Sequence, residues 1–142
     1  MEACAEGESA EAQERSVTTS GLTFDTGVLI ALERRHHRAW TIYREARRLK
    51  VPITVPTPVI AEWWRGRTDA REHVKSGILI EWLSEPLAAL AGEALADVPD
   101  STTVDAIVMA SAAQRGDIVY TSDVDDLEKL RAFFPSVRVL SV

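Results

Sequence analysis

Apolar positions in this chain come in short bursts that switch between two periods. Gly21-Leu22-Thr23-Phe24 reads as a brief strand ending at Asp25. From Thr26 to Arg34, the residues Val28, Leu29 and Leu32 share one side, which predicts a helix after a tight turn. His37 to Lys50 repeats the helical spacing. Trp40, Tyr43, Ala46 and Arg47 make one stripe, and Arg38, Arg44, Arg48 and Lys50 make the wet face. Pro52 to Pro56 is a β-rich run bounded by prolines. Pro58 then suits the first turn of a helix that carries Val59, Ile60, Glu62, Trp63 and Arg65 and stops near Gly66. Further elements follow in order: a short helix over 70–76, a strand over 78–82 and a helix over 86–96. Ser101 or Thr102 caps another helix that ends at Gly116. A strand over 117–121, a helix over 124–133 stopped by Pro135, and a strand over 137–140 complete the chain.

Short apolar strands alternating with helices are the pattern of an α/β sandwich with helices on both faces of a mainly parallel sheet. The chain has 142 residues, which suits one domain over residues 21–142. Residues 1–20 carry five acids and one base and almost nothing large and apolar, so they read as a flexible acidic tail. No stretch approaches the roughly 20 apolar residues of a membrane span, and the N-terminus lacks the basic flank and apolar core of a secretory signal. The single cysteine, Cys4, rules out an internal disulfide and any cysteine-rich metal site, and points to a reducing cytoplasm.

Charge is unevenly spread around a formal total of −6. Residues 34–75 hold eleven bases and four acids, and residues 76–142 hold four bases and eleven acids. An acidic protein built this way can carry a basic face suited to a polyanion, although solvated basic helices would look the same.

The acids at the ends of strands change the picture most. In open α/β sheets, ligands bind beyond the carboxyl ends of the strands. Asp25 follows the first strand, and Asp123 lies two residues after the strand that ends at Thr121. Asp105 sits in the first turn of a helix. Glu62 is the only acid between Glu45 and Asp69. Each has an ordinary reading: a dipole-complementing Asp105, a turn or capping Asp123, a surface Glu62 paired with Arg65 or Arg67. Asp25 is harder to set aside, because Phe24 and Val28 flank it and a buried charge needs a partner.

Taken together, these segments resemble the PIN domain family. The resemblance rests on the strand running into Asp25-Thr-Gly-Val-Leu-Ile, on Glu62 in the helix after the second strand, on Thr103-Val-Asp105-Ala-Ile-Val-Met-Ala-Ser-Ala-Ala, and on Val119-Tyr-Thr-Ser-Asp123-Val-Asp-Asp126-Leu. It runs from about Gly21 to Val142. The short form is similar to the VapC-type toxins of bacterial toxin–antitoxin pairs. The resemblance implies a three-layer α/β/α sandwich, ribonuclease activity, a cognate antitoxin and a homodimer. It also implies an acidic quartet of Asp25, Glu62, Asp105 and Asp123, with Asp126 as a further, less constant acid. Leu127 stands where an aromatic is common and Gly27 where a small hydroxyl residue is frequent. The acidic tail has no counterpart in the family pattern.

Chemistry points the same way. Several carboxylates in one pocket repel one another until they take up protons or cations. An oxygen-only set suits Mg²⁺ or Mn²⁺ rather than Zn²⁺, and His36, His37 and His73 read as surface residues in the basic half. One ion, or two about 4 Å apart, would serve phosphodiester hydrolysis. Asp25, Asp105 and Asp123 are the expected ligands, and Glu62 the residue that orients water or accepts its proton. The expected substrate is RNA, with Arg65, Arg67, Arg71 and Lys75 as candidates for its phosphates. Of Trp63 and Trp64, one is expected in the core, since neighbours on a helix point about 100° apart; the other is read as an interface residue ahead of a stacking platform.

Two alternatives come from other classes. A phosphoacceptor signalling domain would want paired acids after the first strand and a late lysine, but Thr26 follows Asp25 and no lysine follows Val119–Thr121. A PIN-like module that binds RNA or protein without cutting is the stronger rival.

Overall fold

The structure, a computed structural model, describes residues 20–65 and 71–142. The tail read over 1–20 falls almost wholly outside these residues, and so does Arg67. Among the described residues the elements run β1 (Leu22–Phe24), α1 (Thr26–Glu33), α2 (His37–Arg48), β2 (Ile53–Pro56), α3 (Thr57–Trp64), α4 (Arg71–Ser76), β3 (Leu79–Glu81), α5 (Glu85–Asp97), α6 (Thr103–Arg115), β4 (Ile118–Thr121), α7 (Val124–Lys129), a 3₁₀ turn (Leu130–Ala132) and β5 (Val139–Ser141).

All four strand pairs are parallel, in the order β3-β2-β1-β4-β5. After β1 the chain winds outward through β2 and β3, then returns to the other side of β1 for β4. The order therefore reverses between β1 and β4, and the carboxyl ends of these two strands open the crevice where such sheets bind ligands. Helices cover both faces, giving a three-layer α/β/α sandwich.

On one face, Thr23 points toward α6, which packs across β1, β2 and β4 and against α5. On the other face, Phe24 meets Tyr120 edge-on at 6.2 Å, and α1 packs on β4 beside α2, α3 and α4. The core is mostly branched aliphatic, with Phe24, Leu29, Leu32, Ile53, Val55, Met109 and Leu127 fully enclosed. No described helix is long and apolar enough to cross a membrane.

Most of the sequence-derived elements fall where the patterns place them, and the differences are physical. Arg47 leaves the buried stripe of α2 and is exposed, because its guanidinium rides over the Tyr43 ring at 5.8 Å rather than entering the core. Trp40, Tyr43 and Ala46 keep the stripe; Tyr43 Oη donates to Val74 O at 3.0 Å, joining α2 to α4. The helix expected over 124–133 tightens to 3₁₀ geometry after Lys129, five residues before Pro135. Thr102, rather than Ser101, caps α6 by accepting from Asp105 N, and Gly116 closes that helix at φ 74°.

Under the sheet lies a polar network that the sequence does not announce. The Arg115 guanidinium donates to Asp117 at 2.8 Å, Glu81 at 2.7 Å, Thr23 at 2.9 Å and Ser111 at 2.8 Å. Ser111 donates to Glu81 and Thr23 donates to Asp117. One fork-shaped cation thereby satisfies two acids drawn from opposite sides of the sheet's centre.

Candidate active site

Asp25 stands where β1 hands over to α1. Its backbone N–H donates to Tyr120 O at 3.2 Å, which fixes it against β4. The residue is only 8% exposed, and its carboxylate serves as the N-cap of α1. Oδ1 accepts from Thr26 N at 2.6 Å, and Oδ2 accepts from Thr121 Oγ1 at 2.9 Å. The same Thr121 hydroxyl accepts from Asp123 N at 2.9 Å. One buried threonine at the end of β4 therefore joins the Asp25 carboxylate to the backbone of Asp123.

Thr26 does the equivalent for the third acid. Its hydroxyl donates to Glu62 Oε1 at 2.6 Å, tying α3 to the start of α1. Among the described residues Glu62 forms no ion pair with Arg65, so the surface-pair reading of this acid does not hold there. Asp105, in the first turn of α6, faces the same crevice from the other layer, close enough to feel the charges of Asp25, Asp126 and Glu62. Asp126 lies beside Asp123, and their carboxyls share a hydrogen bond. Asp25, Glu62, Asp105, Asp123 and Asp126 thus gather at one place, although they come from five different elements and linkers. His36, His37 and His73 are all exposed and elsewhere.

Their protonation records the crowding. Burial pushes Asp25 upward, against the hydrogen bonds from Thr121 and Thr26, and the charges of Glu62 and Asp123 push it further. Asp105 rises to about 6, first through burial and then through the negative charge of Asp25. Asp123 rises mainly because its hydrogen bond to Asp126 needs one of the two to hold a proton.

A group raised in the fold binds more protons folded than unfolded, so it weakens the fold as pH climbs from its unfolded to its folded value. The metal-free protein is therefore expected to lose stability between pH 4 and pH 6 on account of Asp105. The loss should be about 1 kcal/mol, since Asp105 is only half-buried and solvent screens it. Urea midpoints at pH 4 and pH 7, in wild type and Asp105→Asn, measure it; the substitution should remove this share of the drop.

The donor set is oxygen-only and crowded, a chemistry that fits a hard divalent cation. Among the described residues no three His, Cys, Asp or Glu side chains close tightly enough on one point to cage an ion alone.

The basic candidates are less uniform. Arg65 is exposed at the end of α3. Arg71 and Lys75 of α4 ride on the ring of Trp64, at 4.2 and 5.4 Å from its centre. Trp63 is the core member of the tryptophan pair at 1% exposure, and Trp64 is the exposed one at 39%. The hydroxyl groups of Thr26 and Thr121 are what sequence reasoning passes over; the one available signal is that each immediately follows or closes a strand beside a candidate acid.

A family model described as the PIN domain matches residues 22–132. No curated protein matches the chain significantly. Among solved structures, the chain is similar to VapBC2 from Rickettsia felis bound to a DNA fragment from its promoter, at TM-score 0.65 and 12% identity over 85% of this chain and 98% of that one. A toxin–antitoxin complex from Klebsiella pneumoniae aligns at TM-score 0.60 and 22% identity, covering 83% and 95%. DNA-bound VapBC from Salmonella typhimurium aligns at 0.64 and 14%, covering 85% and 97%.

Proposed function

Because the chain belongs to the PIN domain family, we propose that it is a Mg²⁺- or Mn²⁺-dependent endoribonuclease, the toxin of a toxin–antitoxin pair. What supports this reading is the clustering of Asp25, Glu62, Asp105 and Asp123 at the switch point of the sheet, joined through Thr26 and Thr121, with the pKa values of Asp25, Asp105 and Asp123 pushed upward. Asp25, Asp105 and Asp123 would hold the ion directly or through its waters, with Asp126 as a further acid beside them. When bound, the divalent ion supplies a nucleophilic water at neutral pH and neutralises charge on the phosphate.

The chain's own residues do the rest. Thr121 ties the Asp25 carboxylate to the Asp123 backbone, which keeps the two residues adjacent. Thr26 fixes the Glu62 carboxylate, which is exposed enough to accept the proton of an attacking water. Arg65, Arg71 and Lys75, with Arg67, would take the flanking phosphates of a single strand. The likeness to structures described as toxin–antitoxin complexes supports a cognate antitoxin as partner, and a cytoplasmic homodimer belongs to the same reading.

The test is cleavage of a generic single-stranded RNA. Wild type with Mg²⁺ or Mn²⁺ should cut it, EDTA should abolish cutting, and Glu62→Gln should lower kcat by about a hundredfold or more. Binding without metal-dependent cleavage would favour the non-catalytic module instead.

A further inference from the structure

Gly27, in the first turn of α1, is spatially complementary to Ser122, in the linker from β4 to α7. A Cβ at position 27 would overlap Ser122 Oγ outright and lie only 2.9 Å from Ser122 Cβ, while the Ser122 backbone N would remain at an ordinary 3.5 Å. Rotating the serine therefore cannot make room, whereas removing its side chain would. The hydroxyl of Ser122 occupies the volume that a side chain at 27 would otherwise fill, at the point where the Asp25 turn meets the Asp123 linker.

The other hydroxyls here are committed. Thr26 Oγ1 donates to Glu62, and Thr121 Oγ1 donates to Asp25 while accepting from Asp123 N. Ser122 is exposed, and among the described residues its hydroxyl has no hydrogen-bond partner. The carboxylates gathered here repel a phosphate, and the two threonine hydroxyls beside them are already engaged. The exposed Ser122 hydroxyl is a neutral donor, which attracts a phosphate oxygen without a counterion.

We propose that Ser122 is a substrate-contacting residue of the acidic centre, donating its hydroxyl hydrogen bond to a non-bridging oxygen of the reacting phosphate, and that glycine at 27 is required to house it. The inference rests on the nuclease reading and assigns this site a neutral donor in addition to its acids.

The test is a set of variants assayed for thermal midpoint and for kcat and KM on a quenched single-stranded RNA with Mn²⁺. Ser122→Ala should leave the midpoint within about 1 °C, since an exposed side chain is removed, and lower kcat about ten- to a hundredfold with little change in KM. Gly27→Ser alone should lower both midpoint and activity. The swap Gly27→Ser with Ser122→Gly should restore the midpoint and bring kcat to within about fivefold of wild type. Gly27→Ala with Ser122→Gly should restore the midpoint but stay as slow as Ser122→Ala.

Wild-type kcat in Ser122→Ala, or equal activity in the two double variants, would overturn the role of the hydroxyl while leaving the nuclease reading intact. A wild type that cuts no faster than Asp25→Asn would overturn both.

Discussion

Asp25→Asn is expected to reduce metal-dependent RNA cleavage by about a thousandfold or more while leaving the metal-free protein at least as stable as wild type. Both halves follow from the same contacts. Asparagine keeps an oxygen for Thr26 N and places an amide toward Thr121 Oγ1, which can turn to accept it, so the cap of α1 and the tie to β4 survive. What disappears is the negative charge. That charge is resisted by burial and by Glu62 and Asp123, so its removal should raise the Tm of the metal-free fold. Asp25→Ala makes the contrast. It frees the Thr26 N–H and the buried Thr121 hydroxyl, and should cost about 1–3 kcal/mol while losing activity just as fully. Thermal midpoints beside cleavage rates separate the two: activity falls in both, stability only in one.

Arg115→Ala is expected to destabilise the protein by about 3 kcal/mol, chiefly the cost of leaving the buried Asp117 without its cation. Asp117 is 6% exposed and keeps only Thr23 as a side-chain donor once the guanidinium is gone. Glu81 keeps only Ser111, which itself loses its donor from Arg115. Lysine should rescue little, because a single ammonium cannot reach Asp117, Glu81, Thr23 and Ser111 together. Exchanging Arg115 and both acids for apolar residues of similar size should recover much of the loss, which would show that the network is costly chiefly when broken. Urea unfolding of the three variants reads these differences directly.

How much of this the sequence discloses depends on the range of each interaction. Local patterns suffice for the elements. Leu22–Phe24 and Ile53–Pro56 are too apolar and too well bounded to be anything but buried strands, and Thr102 and Gly116 mark the ends of α6 by their own chemistry. The acids are legible because a parallel sheet sends the carboxyl ends of its strands to one edge, so Asp25 and Asp123 share that edge whatever the details. Arg47 misleads because helical spacing alone does not say whether a long cation folds back over an aromatic ring.

The hydroxyl wiring is invisible for a different reason. Thr121 and Asp25 are 96 residues apart, as Thr23 and Asp117 are 94 apart, and no local rule pairs them. Even knowing the strand order would not place Ser122 in the volume denied to residue 27, which depends on fractions of an ångström. Trp82 escapes notice in the same way: the apolar run over 78–82 reads as a strand, but β3 is an edge strand, and this tryptophan just beyond it is 82% exposed.

Titrating Mn²⁺ into the metal-free protein, with calorimetry or the electron paramagnetic resonance signal of the free ion as readout, bears most directly on the shared site. Wild type should bind with release of protons near pH 6, because Asp105 begins partly protonated, and Asp25→Asn and Asp105→Asn should each weaken binding about tenfold or more. Mn²⁺ affinity unchanged in both variants would contradict a common cation at these carboxylates.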